Sequence, residues 1–491
     1  MCLAYSSLYD AIVPAATART LYPALLTLIV IFCNFVPFGA LILNAVFFSF
    51  VVGQTLQFTL PCSSRWRQNR IESEQGSLLR VDCAAVSDAP RARLYWFDDL
   101  RAALTFAVIL HHCAGAVNGG GSLGLSLGSF RNPVAVVTSS FLTLQQAYFM
   151  SLFFFLSAYF APASLERKGR TAFLADRFKR LGIPFIVYFF VVGPLLVIIA
   201  RATAGASIVY SPNPNVAWFL GWLLVFSVAF SAVPVTGEGS PGVPIPRPSL
   251  AHLALAGAAL GCLQAVQLGF APAFINMPIS FGSLPFDAAA YWAGTAAARG
   301  RWFDAPFSAR EIAVARAAVV VAAAGVTAFF AALYSRGGGY YLAMWNECGT
   351  DSSSSSGMPG AEDAGLVIGV LFCLAVALGV YAVCVSVALI DFFQRACDAP
   401  PGPARKWLAQ VSYTAYLVHP LVVLPGTALL IYFSKAAPLT WNSDTLTDMT
   451  ACVGLGWLGG GFIVLAVGGV GVTYSVSTLI RRYVPRAEEI L

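Results

Sequence analysis

The feature that most constrains this chain is its succession of apolar runs, separated by connections rich in Gly, Pro and Ser. A run of about twenty apolar residues crosses a ~30 Å hydrocarbon core as a helix. Ten such spans are read, at about 100–118, 134–162, 182–200, 214–236, 250–269, 283–299, 310–334, 362–394, 408–433 and 450–480. Of the 491 residues, 11% are charged and 58% hydrophobic, and the mean hydropathy is +0.74. Soluble domains carry about 25% charged residues. The expected fold is all-α: a polytopic transmembrane helical bundle of about ten core spans plus an extra N-terminal apolar segment.

That extra segment occupies residues 1–60, and its apolar run from 21 to 60 is interrupted by Pro37 and Gly39. It is too long for one straight span and reads as a kinked helix or a hairpin. Residues 61–97 are a polar linker holding six arginines, residues 98–482 the membrane domain, and residues 483–491 a tail. Residues 335–361, with a five-serine run at Ser352–Ser356, cannot bury a core and read as a loop. Basic residues fall on one set of alternate loops, among them Arg167, Lys168, Arg177, Arg180, Arg301, Arg405 and Arg482. The opposite loops hold Arg131, Arg201, Arg336 and Lys435. The rich side is therefore read as cytoplasmic, which makes the linker and tail cytoplasmic and the Ser-rich loop non-cytoplasmic. A net charge of +6 in such a chain marks topology, and no nucleic-acid partner is expected. The eleven cysteines include no CxxC pair, and no metal site is expected.

Chemistry centres on Tyr95–Val117, YWFDDLRAALTFAVILHHCAGAV. Ionisable groups inside a membrane segment are costly and mark function. Arg101 and His112 are eleven residues apart, close to three helical turns, so they share a face. His112 then lies about 16 Å along the helix from Arg101, near mid-membrane. Imidazole is suited to take a proton from a hydroxyl near neutral pH. His111 is about 100° round the helix and reads as a packing residue. Asp98 and Asp99 stand at the helix entrance, as an ion pair with Arg101 or as orienting groups. Arg177 and Arg180 precede Pro184 at helical spacing, suited to topology signalling or to phosphate capture. Ser157, Asp287, Tyr413 and His419 are further candidates for a polar site.

Four stretches, in this order, resemble acyltransferase family 3, the integral-membrane O-acyltransferases of the O-antigen- and glucan-modifying type. LRAALTFAVILHH resembles the family's arginine–ten residues–histidine pattern, which falls on Arg101 and His112. SLFFFLSAYFAP with LADRFKRLGIPF, then FGSLPFDAAAYWAG, then SYTAYLVHPL, resemble later blocks. Ala158 stands where the family usually has glycine, and Gly221 where a larger, often acidic side chain is expected. The resemblance implies transfer of a short acyl group, of the acetyl or succinyl class, from an acyl-CoA-type co-substrate to a hydroxyl of a carbohydrate or lipid. It implies no bound cofactor. His112 would be the catalytic base and Arg101 would stabilise charge or hold the donor. Arg177 and Arg180 would bind the donor. The competing readings are a small-solute transporter and a catalytically inactive acyltransferase-like protein.

Overall fold

The computed structural model describes residues 94–118, 123–128, 133–232, 245–270, 283–337, 361–434 and 455–484. The N-terminal apolar segment, nearly all of the polar linker, most of the Ser-rich loop and most of the tail lie outside these residues. Among the described residues every regular element is helical. In chain order these are α1 (Tyr95–Ala116), α2 (Val134–Gln146), α3 (Phe149–Tyr159), α4 (Ala161–Arg177), α5 (Ile183–Val187), α6 (Gly193–Thr203), α7 (Trp218–Ala232) and α8 (Leu250–Phe270). Then follow α9 (Leu284–Arg299), α10 (Ala309–Gly337), α11 (Ala361–Ala396), α12 (Pro403–Val418), α13 (Pro420–Ser434), α14 (Leu455–Ile463) and α15 (Val470–Tyr483).

The bundle is organised around α1. It touches α2, α3, α11, α12, α13, α14 and α15. Trp96, Phe97, Leu100 and Ile109 are fully buried there. That enclosure explains how a helix carrying Asp98, Asp99, Arg101, His111 and His112 sits inside a membrane bundle: its neighbours, not lipid, receive those groups. The entrance end of α1 is fastened by one bidentate pair. Arg405 donates from Nε and Nη2 to the two Asp99 carboxylate oxygens at 3.0 and 2.5 Å, and also to the Cys397 carbonyl at 2.7 Å. This fork ties α1 to the first turn of α12, and the Cys397 bond extends the tie to the end of α11; the two-pronged geometry is the one in which arginine holds a carboxylate best.

Six helices are long and apolar enough to cross a membrane, or seven if the bent pair Pro403–Val418 and Pro420–Phe433 counts as one. The ten spans expected from sequence are therefore not all reached among the described residues. The shortfall has physical causes. The 22-residue α1 could span about 33 Å, but its ionisable groups lower its mean hydropathy. The 16-residue α9 is short and buries much of its length against α3. Leu250–Ala265 is apolar but also short. Two of the stretches that are long and apolar enough are themselves bent: α2 and α3 meet at a non-helical Tyr148 (φ −127°), and α4 breaks at Gly169, whose φ of 72° is in the left-handed region.

Two helix contacts are closer than side chains permit. A Cβ at Gly257 would lie 2.5 Å from the Gly379 carbonyl oxygen, which brings α8 onto α11. A Cβ at Gly294 would lie 2.3 Å from the Phe155 carbonyl oxygen and 3.0 Å from the Ala158 Cβ, which brings α9 onto α3. Small residues let membrane helices approach in this way, backbone to backbone. The alanine at position 158 is accommodated because its facing residue is the glycine.

Candidate active site

The site begins with a broken helix. In a continuous helix the Tyr416 carbonyl would accept from the backbone N–H four residues on, but residue 420 is proline and has none. The chain bends by 57° there. His419 Nδ1 lies 2.6 Å from the orphaned Tyr416 oxygen. A carbonyl can only accept, so Nδ1 carries the proton and Nε2 holds the lone pair of the neutral ring. The ring is fully buried, and its Nε2 has no hydrogen-bond partner. A ring wedged at a bend is thereby given a fixed tautomer.

Against this ring stands His112, with ring centroids 4.9 Å apart and planes at 32°. His111 is next, its centroid 5.5 Å from that of His112. The His111 ring stacks on Phe149 of α3 at 5.2 Å. Three imidazoles from two elements thus share one region of the bundle. The sequence links only the first two; the third arrives from the far end of the chain. Tyr416 is anchored in turn, its hydroxyl donating to the Val216 carbonyl. Tyr188 donates to the Leu417 carbonyl at 3.2 Å. These two tyrosines hold the segment before the bend; Tyr416 lies within the SYTAYLVHPL stretch, whereas nothing in its sequence neighbourhood singles out Tyr188.

Arg101 lies one arm's length away, at the basic end. Its Nη2 donates to the Leu156 carbonyl at 3.0 Å, and its guanidinium carbon lies 5.2 Å from the Phe160 ring centre. Leu156 is in the last turn of α3, where carbonyls lack intrahelical partners. Arg101 therefore caps α3, with Asp98 and Arg177 within its electrostatic reach. The Arg177 guanidinium lies over the Phe173 ring at 5.1 Å, and its Nε is buried without a hydrogen-bond partner. Arg180 is exposed and pairs with Asp176 at 3.3 Å, while its own carbonyl accepts from the Tyr413 hydroxyl at 2.7 Å. So Arg101 and Arg177 converge, Arg180 stands at the surface beside them, and Tyr413 tethers this basic segment to α12. None of the contacts described here joins them to the imidazoles.

Asp287 forms a separate node at the seam of α3 and α9. It is 1% exposed, and its two carboxylate oxygens accept from Ser151 at 2.9 Å and Ser283 at 2.6 Å. Lying in the first turn of α9, it also meets the positive end of that helix. Ser157 is half-buried on α3. Removing the carboxylate strands two hydroxyls, and Asp287→Ala is expected to cost about 1–3 kcal/mol. Thermal unfolding of the detergent-solubilised protein measures this; a midpoint unchanged from wild type would contradict it. Gly221 is buried on α7. Among the described residues no group of His, Cys, Asp and Glu side chains is arranged to hold a metal ion.

A family model described as an acyltransferase domain, that of acyltransferase family 3, matches residues 94–482. The chain belongs to acyltransferase family 3. No curated protein and no solved structure matches it. The family assignment and the long apolar helices together make the protein a multi-pass integral membrane acyltransferase. In this acyltransferase the residues of the arginine–histidine pattern occupy opposite parts of one central helix: Arg101 at the basic end against α3, and His112 against the bent segment at His419.

Proposed function

We propose that this acyltransferase moves a short acyl group, of the acetyl or succinyl class, from an acyl-CoA-type donor to a hydroxyl of a carbohydrate or lipid. The observation that carries this reading is the pairing of His112 with His419. A base works when it is neutral and correctly oriented before the substrate arrives. Packed helices supply the low-dielectric surroundings, and His419, its tautomer fixed by a backbone carbonyl, offers Nε2 as an acceptor for an N–H of His112. One His112 nitrogen is then left to take the proton of the acceptor hydroxyl.

The donor enters from the basic end. Its phosphates meet Arg180 at the surface and Arg177 and Arg101 further in, where guanidinium is the best partner for phosphate oxygens. The acceptor oxygen attacks the thioester carbonyl as its proton passes to His112. The new C–O bond forms, the C–S bond breaks, and the leaving thiolate takes the proton back from the imidazolium. Substrates reach one another only if the acyl arm extends the roughly 16 Å that separates Arg101 from His112 along α1. Asp98 offsets the charge of Arg101 at the entrance, Asp287 and Tyr413 act by holding α3, α9 and α12 in place, and Ser157 adds a hydroxyl on α3.

The competing transporter reading rests on ionisable residues inside the membrane, and the treatment of the bend at Pro420 favours the enzymatic one. Broken helices in transporters expose carbonyls to ions and substrates, whereas the carbonyl freed at Pro420 is taken by His419. The test is incubation of membranes containing the full chain with radiolabelled acetyl-CoA or succinyl-CoA. Label in the glycan or lipid fraction, with the matching added mass, is expected for one donor. Absence of label with both, alongside retained biological activity, would favour the inactive, acyltransferase-like reading, for which Gly221 is the sequence clue.

A further inference from the structure

Tyrosines elsewhere in this bundle join segments through their hydroxyls. Tyr188, Tyr413 and Tyr416 each donate to a backbone carbonyl far away in the chain. Tyr148 and Tyr381 depart from that pattern. Their rings meet edge to face, across the seam between the α2–α3 junction and α11, with centroids 6.2 Å apart and planes at 75°. Among the described residues neither hydroxyl makes a hydrogen bond, although the two are close enough to interact electrostatically. Tyr381 is 6% exposed and Tyr148 is half-buried. Both stand near the middle of stretches long and apolar enough to cross a membrane, where bulk water is absent.

Two features argue that the pair serves a ligand. The first is the break in the helix. Residues 145–150, QQAYFM, hold neither proline nor glycine, the usual causes of a sharp kink, yet the chain leaves the helix at Tyr148. That departure sets Phe149 against His111 and Tyr148 against Tyr381, so the two phenols stand close to the imidazole row. The second is the hydroxyls themselves. A pair of phenylalanines would make the same ring contact without leaving two polar groups unsatisfied in oil. One turn away on each helix, Leu144 and Leu378 pack into a small apolar cluster with Phe330 of α10, which offers no hydrogen bond. The chemistry of the pair restricts what satisfies it. No charged side chain among the described residues acts on either hydroxyl, so the ligand is neutral. Each phenol both donates and accepts, and a ligand hydroxyl complements it. The ring faces suit C–H surface. A sugar ring carries both. We infer that Tyr148 and Tyr381 form a sugar-binding subsite, which holds part of the acceptor beside the imidazoles. A simple lipid alcohol is discriminated against, because its one hydroxyl leaves the pair half satisfied. The inference rests on the proposed reaction only in calling the sugar an acceptor.

The test compares n-octyl β-D-glucopyranoside, below its micellar concentration, with 1-octanol, which has the same tail and one hydroxyl. The full chain, with its tyrosines labelled at Cζ with carbon-13, is held in phosphatidylcholine nanodiscs without donor and observed by NMR. The signals of the two residues are those lost in Tyr148→Phe and Tyr381→Phe. The glucoside is expected to shift both signals and to bind roughly tenfold more tightly than 1-octanol, as two further hydrogen bonds imply. Each phenylalanine variant removes one oxygen and is expected to weaken glucoside binding about threefold or more. Tyr432→Phe, at an exposed position on α13, leaves it unchanged. Equal affinity for the two compounds, absence of a shift in both signals, or unaltered glucoside binding in both subsite variants would overturn the inference. Should one variant fail to fold, the other and the wild-type comparison decide. Glucoside binding at the tyrosines without acyl transfer keeps the subsite and removes the reaction; acyl transfer without glucoside binding does the reverse.

Discussion

His112→Ala abolishes acyl transfer, with a fall of about 10²–10⁴-fold in the rate of label incorporation, while the protein still folds. The two halves of that expectation come from different observations. The fall follows because the His112 imidazole is the proposed proton acceptor next to the acyl carbon, while its neighbour His111 is turned onto the Phe149 ring and not onto His419. Retained folding follows because His112 is not among the buried residues that make up the core of α1. The assay is incorporation from radiolabelled donor into glycan or lipid, read beside the amount of monodisperse protein recovered in detergent. A His112→Ala protein that transfers acyl groups at the wild-type rate would remove the histidine from the mechanism.

Gly294→Val prevents α3 and α9 from packing and leaves little folded protein. The added Cβ would sit 2.3 Å from the Phe155 carbonyl oxygen, a backbone atom that cannot turn aside, and 3.0 Å from the Ala158 Cβ. The helices must separate to admit it, at a cost above about 3 kcal/mol. Separation also pulls apart Ser151 and Asp287 and shifts Phe149 from beneath His111, so whatever protein survives loses activity as well. The control is Gly325→Val on α10, where an added Cβ meets nothing within 4 Å. Size-exclusion yield and thermal midpoint report both. Equal recovery of the two variants would show that the α3–α9 seam tolerates separation.

The helical class and the central helix were legible in the sequence because both are local. Apolar run length speaks for spans, and a charge or imidazole stands out against an apolar run. The spacing of Arg101 and His112 could be read on paper for the same reason. What could not be read depends on contacts between distant segments. His419 stood out as a membrane histidine before a proline, but its meeting with His112 requires the fold. Asp99 and Arg405 read separately as helix-end charge and topology signal, and only packing shows them as one fork. Gln145, in the run TLQQAY, resembles any polar residue near a helix end; its hydrogen bond to His111 appears only in the fold. Six or seven of the ten expected spans are found among the described residues; α1 falls outside that number because its ionisable groups lower its hydropathy, and only the fold shows its neighbours enclosing them.

The bend at Pro420 has a chemical consequence beyond shape. Because an amino acid with a cyclised nitrogen follows His419, a main-chain oxygen is left wanting a donor, and the imidazole supplies it. Which of the ring's nitrogens stays basic is therefore decided by the covalent skeleton, before any substrate binds. A replacement at position 420 that restored an amide hydrogen would set it in competition with the ring for that oxygen, and would alter proton affinity in the active centre without changing a single catalytic side chain.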